Sequence, residues 1–424
     1  MNIEILITGD EIRTGAAIDL NSSYIAQVLA ENGFSVMRHS CVGDDMDHIV
    51  SVLQEIGGRA DAGLVTGGLG PTPDDITALA AAKSAGVELV VNQPALHGIE
   101  RYFKARRRRM TESSKKQAML PRGAEPIFNP AGTAPGFIFK INRCVFFFMP
   151  GVPLEMQRML SETVIPHMKK LRGVNDEFYI TKTISTFGLT ESATSERVAD
   201  ISGMFPEITM GFRAKFPEIQ IKLYGRGKNK KTLHQSIADT AEAILNKLKD
   251  YVFSMNGSPM EAEVGRLLSE KKATLAVAES CTGGLISHML TNVPGSSNYF
   301  LFSGVTYSNE AKQKVLGVPA RVIERFGAVH ETTAKEMAAG VRRIAGSDYG
   351  LATSGIAGPD GGTEEKPVGL VCIGLADRKS AEGFRFFYPF NSRPRNKQIF
   401  AVKALDMLRR KLLPESCMKI NENY

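Results

Sequence analysis

One local pattern constrains this chain more than any other: a short apolar run opens into a glycine-rich loop, and helical periodicity follows. Ala62-Gly63-Leu64-Val65 runs into Thr66-Gly67-Gly68-Leu69-Gly70-Pro71-Thr72-Pro73-Asp74-Asp75, and Thr274 to Ala278 runs into Glu279-Ser280-Cys281-Thr282-Gly283-Gly284-Leu285. The run Cys144 to Met149 likewise ends at Pro150-Gly151-Val152-Pro153. Short buried strands alternating with amphipathic helices specify an α/β fold, and loops at the carboxyl ends of such strands are where open sheets bind ligands.

At 424 residues the chain exceeds what one hydrophobic core organises, so separate domains are expected. The first, residues 1–172, begins with the strand-like Ile3 to Ile7. It continues with a helix capped by Asn21 or Ser22, and another capped by Asp47 that buries Ile49, Leu53 and Ile56. Residues 173–256 change to longer strands, Phe178 to Thr186 and Ile219 to Leu223, with a helix over Thr232 to Leu248, and form a small α+β connecting domain. The turn cluster Asn256-Gly257-Ser258-Pro259 opens a second α/β domain, 257–415.

Composition removes several classes of function. No run is apolar enough to span a bilayer, and the acidic Glu4 near the start does not suit an export signal, so a cytoplasmic protein with no membrane partner is expected. The five cysteines, Cys41, Cys144, Cys281, Cys372 and Cys417, are single and odd in number, which fits reduced thiols rather than disulfides or structural zinc. The net charge of +7 favours anionic ligands without choosing among them. Its densest stretch, Lys104 to Arg109, lacks the interleaved aromatics of a single-strand platform, so nucleic acid is not the expected partner.

Ser280 falls at a strand-to-helix turn, beside the unpaired N–H groups of a helix start that can bind a phosphate or a developing oxyanion. No GxSxG elbow is present and no histidine is in register, so another base must activate a serine nucleophile. Tyr307 and Lys312, in Gly304-Val305-Thr306-Tyr307-Ser308-Asn309-Glu310-Ala311-Lys312, are the candidates. Thr353 to Gly362 supplies a third glycine-lined loop. Taken singly, Ser280 also suits a helix cap, Lys312 a surface lysine and the loops ordinary turns.

In the first domain, Gly9-Asp10-Glu11, Gly43-Asp44-Asp45 and Thr66 to Asp75 set acids beside glycine turns. The layout suits phosphates held by backbone around Gly67, Gly68, Gly70 and Thr72, and a divalent cation held by Asp10, Asp44, Asp45, Asp74 and Asp75. The same aspartates are good helix caps, and one of each pair is expected to serve only there.

Together, Ala278 to Gly284, Tyr307 to Lys312 and Ser354 to Gly362 resemble the CinA C-terminal family, over about Glu261 to Leu413. That resemblance implies deamidation of nicotinamide mononucleotide: Ser280 attacks the carboxamide, Tyr307 and Lys312 manage its proton, ammonia leaves, and water releases nicotinic acid mononucleotide. It also implies ligand contacts at Glu279, Thr282, Gly283, Gly284, Ser354, Gly355 and Arg393 or Arg395. One departure is His330, where the family pattern leads us to expect a serine.

Thr8-Gly9-Asp10-Glu11, Asn21-Ser22, Val42 to Asp45 and Thr66 to Asp75 resemble the molybdopterin-binding fold of the CinA N-terminal domain. This implies a three-layer α/β domain with metal-dependent ADP-ribose pyrophosphatase activity, although Ile12 to Leu20 departs from the pattern. Two alternatives are a non-catalytic pterin- or nucleotide-binding module and a DNA-associated competence factor. No catalytic constellation marks the connecting domain, which suits a spacer or a homodimer contact.

Overall fold

The computed structural model describes residues 1–173 and 177–414; Cys417 lies outside them. The chain divides into two compact units, Met1–Ile180 with Arg226–Lys230, and Thr181–Gly225 with Lys231–Tyr424.

In the first unit β1 (Ile3–Thr8), β2 (Val36–Val42), β3 (Ala62–Thr66), β6 (Glu125–Ile127), β7 (Gly136–Ile141) and β8 (Cys144–Met149) form one sheet in the order β2-β1-β3-β8-β7-β6. Its first four strands run parallel, and β7 and β6 close the edge antiparallel. β4 (Leu89–Val91) and β5 (Met119–Pro121) pair separately. Successive strand residues point to opposite faces. Thus Ile3, Ile5, Ile7 and Phe147 pack with Ile25, Leu29, Met156 and Met168 on one side. Leu6, Val65, Phe146 and Phe148 pack with Ile49, Leu53, Ile56 and Ile99 on the other. The triple phenylalanine of β8 is fully buried because both faces are covered by helices, and each such ring contributes roughly 1.5–3 kcal/mol.

Two helix starts differ from the sequence reading. The helix Asn21–Glu31 has no side-chain cap at Leu20; instead Asp19 accepts from the Ser22 N–H at 2.9 Å and from its hydroxyl. Asp45, not Asp47, caps Met46–Arg59, accepting from the His48 N–H at 3.0 Å. Asp47 lies in the first turn, where its charge still favours the helix dipole.

In a four-stranded sheet that belongs mostly to the second unit, β9 (Phe178–Phe187), β10 (Ile208–Lys215), β11 (Glu218–Gly227) and β12 (Val252–Ser254) take the order β10-β11-β9-β12. The helix Lys230–Leu248 buries Leu233, Ile237, Ala241, Ile244 and Leu248, at the spacing of one helical face. A five-stranded sheet follows: β14 (Phe300–Val305), β13 (Leu275–Glu279), β15 (Tyr349–Gly355), β16 (Leu370–Ala376) and β17 (Ala381–Phe387), in that spatial order. β13 is parallel to both neighbours, while β16 and β17 run antiparallel. Helices Met260–Lys271 and Arg393–Leu412 cover one face, through Val264, Leu268, Phe400 and Leu405 against Val277, Leu351 and Ile373. The helix Glu331–Ala345 covers the other, through Met337, Ala338 and Val341 against Ala276, Ala278 and Ala352. The carboxyl end of β13 is thereby an interior crevice flanked by two parallel strands, and Ser280 is the next residue. Among the described residues no helix is long and apolar enough to cross a membrane.

Candidate active site

The loop after β13 is shaped by the buried carboxylate of Glu279. It accepts from the N–H groups of Gly284 (2.9 Å), Ile286 (3.1 Å) and Ser287 (2.9 Å), and from the Ser287 hydroxyl (2.6 Å). A carboxylate thus occupies the start of the helix Leu285–Thr291, satisfying donors that a helix otherwise leaves open. The return to that helix passes through Gly283 (φ 58°) and Gly284 (φ 91°), conformations that side chains with a Cβ resist. The Ser280 N–H donates to Thr353 O at 3.0 Å, and the buried hydroxyls of Thr282 and Thr353 meet at 2.7 Å. The turn is therefore tied to β15 on its far side.

Lys312 comes from the helix Asn309–Leu316, whose first turn is capped by the Ser308 hydroxyl. It is only 1% exposed. Its Nζ lies 3.2 Å from Ser280 Oγ, 3.0 Å from Thr306 O and 3.0 Å from Tyr307 O. Burial pushes this amine below the ordinary lysine range. As an ammonium, Nζ donates one N–H to each of the three oxygens. On losing a proton it keeps two N–H groups for the two carbonyls, and its lone pair faces Ser280 Oγ. Tyr307, 60% exposed, accepts through its hydroxyl from Arg393 Nη2 at 3.0 Å, while Arg393 Nη1 donates to Gly358 O at 2.7 Å.

The first unit holds a cleft of about 430 Å³ lined by Thr8, Glu11, Asn21, Asp44, the loop Thr66–Pro71 and Glu155, among others. A Cβ on Gly67 would sit 2.1 Å from Thr8 O, so the loop approaches β1 only as glycine. The Gly67 N–H is used by Met149 O. The N–H groups of Gly68, Leu69 and Gly70 make no hydrogen bond among the described residues, leaving adjacent main-chain donors at the cleft. Burial raises the Asp44 carboxyl, and the charges of Asp10, Glu11 and Asp74 add to the rise, although the Asp10 N–H opposes it. Burial also raises Glu155.

Three sequence models divide this chain between them. The "CinA C-terminal domain" matches residues 257–412, the "Damage-inducible protein CinA KH domain" 181–254, and a "Probable molybdopterin binding domain" 4–170. A CinA-like protein of Desulfosudis oleivorans is 51% identical over 413 residues, covering 97% of this chain and 100% of the relative. The chain belongs to the CinA family. A CinA-like protein of Geobacter metallireducens is 43% identical over 415 residues, covering 97% and 100%. Among solved structures, CinA from Thermoplasma acidophilum is 33% identical and covers 40% of this chain and 97% of its own, with a TM-score of 0.37. A competence/damage-inducible protein from Agrobacterium tumefaciens is 36% identical, covering 36% and 94%, with a TM-score of 0.34.

Within this CinA-family chain the structure brings together Ser280, Lys312 and the main chain of Tyr307, but places other candidates elsewhere. Glu279 is a helix cap with both oxygens engaged, and it uses the Gly284 N–H that was expected to face a ligand. Thr282 is fully buried against Thr353, and the Ser354 hydroxyl is spent on Ala328 O at 2.7 Å. A Cβ on Gly355 would meet Leu370 O at 2.5 Å, so that glycine serves strand packing. Of the two arginines, Arg393 reaches the site, whereas the Arg395 guanidinium lies 5.4 Å from the Phe216 ring centroid. Tyr307 offers Lys312 its carbonyl, and its hydroxyl is held by Arg393 rather than by Ser280. His330 caps Glu331–Ala345, accepting from the Thr332 N–H at 3.1 Å, and stacks on Phe326.

In the first unit Thr72, Asp10 and Asp45 do not line the cleft. The Thr72 N–H and hydroxyl both donate to Asp75, at 2.8 and 2.5 Å. Asp10 is paired with Arg13 at 2.9 Å. With Asp45 capping a helix and Asp75 bound to Thr72, the five aspartates do not form a ligand set. Among the described residues no three His, Cys, Asp or Glu side chains are placed to hold a metal ion. Sequence reasoning missed the Thr306 carbonyl as a lysine anchor. It also missed Asn21, whose amide donates to Gly151 O at 2.7 Å across the cleft.

Proposed function

We propose that the second unit hydrolyses the carboxamide of nicotinamide mononucleotide to nicotinic acid mononucleotide and ammonia, with Ser280 as nucleophile and Lys312 as its base. One observation carries this reading: the buried Lys312 amine, its pKa lowered by burial, has the Ser280 hydroxyl 3.2 Å away as its third hydrogen-bonding partner. In the neutral form the Ser280 O–H donates to Nζ. Attack of Oγ on the carboxamide carbon transfers that proton to Lys312, and collapse of the tetrahedral adduct returns it to the leaving amine as ammonia. Water, deprotonated in turn by Lys312, cleaves the acyl-serine. The N–H of Cys281, which bonds no other residue among the described ones, is our assignment for an oxyanion donor. The family membership and the substrate class implied by the motif order support the same reading.

The test is release of ammonia and nicotinic acid mononucleotide by the full-length chain, with Ser280→Ala alongside. Loss of turnover in that variant supports the assignment; turnover that survives it rejects Ser280 as nucleophile.

For the first unit we propose a nucleotide site, with phosphate oxygens on the N–H groups of Gly68, Leu69 and Gly70. These adjacent open donors are the supporting observation. ADP-ribose cleavage to AMP and ribose 5-phosphate is the activity we attach to it. Incubation with ADP-ribose, with and without added Mg²⁺, decides between hydrolysis and binding alone.

A further inference from the structure

A connecting domain that served only as a spacer would need no contact with the chemistry beyond it, yet the turn between β10 and β11 is fastened at three points. Gln398 donates to Phe216 O at 2.7 Å. The Phe216 ring meets Phe390 edge-on at 5.2 Å and carries the Arg395 guanidinium 5.4 Å from its centroid. Glu218, 5% exposed, accepts from the Met260 N–H and so closes the turn onto the start of the helix Met260–Lys271.

The turn borders a cavity of about 630 Å³, the size of a small-metabolite pocket. Lys215, Phe216 and Pro217 line it from the connecting domain, and Leu285, Arg393 and Lys397 from the domain that carries Ser280. The cavity adjoins the site already described. Arg393 on its wall also holds Gly358 O and the Tyr307 hydroxyl. Lys397 Nζ stands 3.3 Å from where a Cβ on Gly283, three residues after Ser280, would be. Arg393 and Lys397 are four residues apart, so one helical face presents both. Neither the Lys215 nor the Lys397 side chain makes a hydrogen bond or ion pair among the described residues. Three cations thus line the cavity with one accessible carboxylate, Glu261, and that excess suits an anionic group.

We propose that the β10–β11 turn is the outer wall of the deamidase pocket, and that Lys215 joins Arg393 and Lys397 in holding the phosphate of the mononucleotide whose carboxamide lies at Ser280. The inference rests on the deamidation proposed above and gives the connecting domain a part in choosing its substrate. The Glu279 carboxylate already fills the start of the helix Leu285–Thr291, so a phosphate beside this loop needs side-chain cations, and Lys215 is the one supplied from outside the domain that carries Ser280. The outer wall therefore selects the phosphorylated substrate over its riboside.

Lys215→Ala tests this with little risk to the fold, because the side chain is exposed. In the full-length chain it should raise KM for nicotinamide mononucleotide about tenfold, the worth of one charge-assisted contact, with the loss falling on KM rather than kcat. KM for nicotinamide riboside should move much less, and Lys215→Arg should recover most of the affinity. Hydrogen-exchange mass spectrometry on Ser280→Ala, which lacks the nucleophile, should show nicotinamide mononucleotide protecting amides over 214–219 together with 285–292. Protection over 285–292 without 214–219 overturns this proposal alone, and protection in neither overturns the substrate reading with it. An unchanged KM in Lys215→Ala, or an equal rise for nucleotide and riboside, also overturns it. Protection of both segments in a chain whose wild type releases no ammonia would reject the catalytic reading and still support the shared pocket.

Discussion

Replacing Lys312 with methionine tests the catalytic reading most directly, because it keeps the length of the buried stem and removes only the amine. General-base assistance is worth about 10²–10⁴-fold, so kcat for ammonia release should fall by roughly 3–5 kcal/mol of barrier, at about 1.4 kcal/mol per tenfold. Folding should respond in a distinct, pH-dependent way. Burial lowers the Lys312 pKa below its ordinary value of 10.5, so the unfolded chain binds more protons between the lowered value and 10.5. Stability contributed at this site therefore rises with pH through that window. Below the window the folded protein carries the cost of a buried ammonium, and above 10.5 neither state does. Lys312→Met removes the cost while leaving Thr306 O and Tyr307 O without a donor. Its stability relative to wild type should thus be best at neutral pH and worsen toward pH 10, as urea denaturation would show. Retention of more than a tenth of wild-type kcat, or a stability difference flat with pH, refutes the assignment of Lys312 as a depressed-pKa base.

Other perturbations isolate single contacts. Glu279→Gln replaces one acceptor of the helix cap with a donor and should cost about 1–3 kcal/mol in urea denaturation, although Glu279 touches no reacting atom. Asp406→Asn leaves the buried Arg409, now paired at 2.7 Å, without its counter-charge; a loss of about 3–5 kcal/mol is expected from thermal or chemical melts. Gly68→Ala would place a Cβ 2.2 Å from Thr77 Oγ1 at a φ of 62°. ADP-ribose binding, followed by calorimetry, should be abolished while Ser280-dependent ammonia release persists.

The strand–loop–helix pattern was legible because it is local: apolar runs of a strand's length ending in glycines specify where β3, β8 and β13 open their loops. Ser280 and Lys312 were legible as residue types at a turn and on a nearby helix. Their 3.2 Å approach depends on β14 lying parallel to β13, a pairing no local pattern encodes. Arg393 and Arg395 could not be separated in sequence. Two positions on a helix are about 200° apart, so one faces Tyr307 and the other Phe216. Glu279 looked like a ligand contact because it precedes the serine, but its partners lie five to eight residues on, where the chain folds back. The aspartate pairs misled for a related reason: a carboxylate beside a glycine turn is equally suited to metal and to a helix cap, and geometry alone chose the cap for Asp45.

The tetrapeptide Thr-Gly-Gly-Leu occurs at Thr66 and again at Thr282, and the two loops are chemically opposite. In the first, N–H groups after Gly67 are open and the loop can hold phosphate by main chain. In the second, the Glu279 carboxylate already occupies the helix start, and its charge repels a phosphate placed there. A mononucleotide at Ser280 must therefore have its phosphate held by cationic side chains, and Arg393 is the one already bound to the site's loops. Arg393→Ala should raise KM for nicotinamide mononucleotide by roughly tenfold to a hundredfold, as for loss of a charge-assisted contact of about 1.5–3 kcal/mol. It should change KM much less for the riboside that lacks the phosphate. Wild-type KM for the nucleotide should also climb with ionic strength. Equal KM increases for nucleotide and riboside would mean that Arg393 only braces Gly358 and Tyr307, and the phosphate would have to be sought on another cation of this unit.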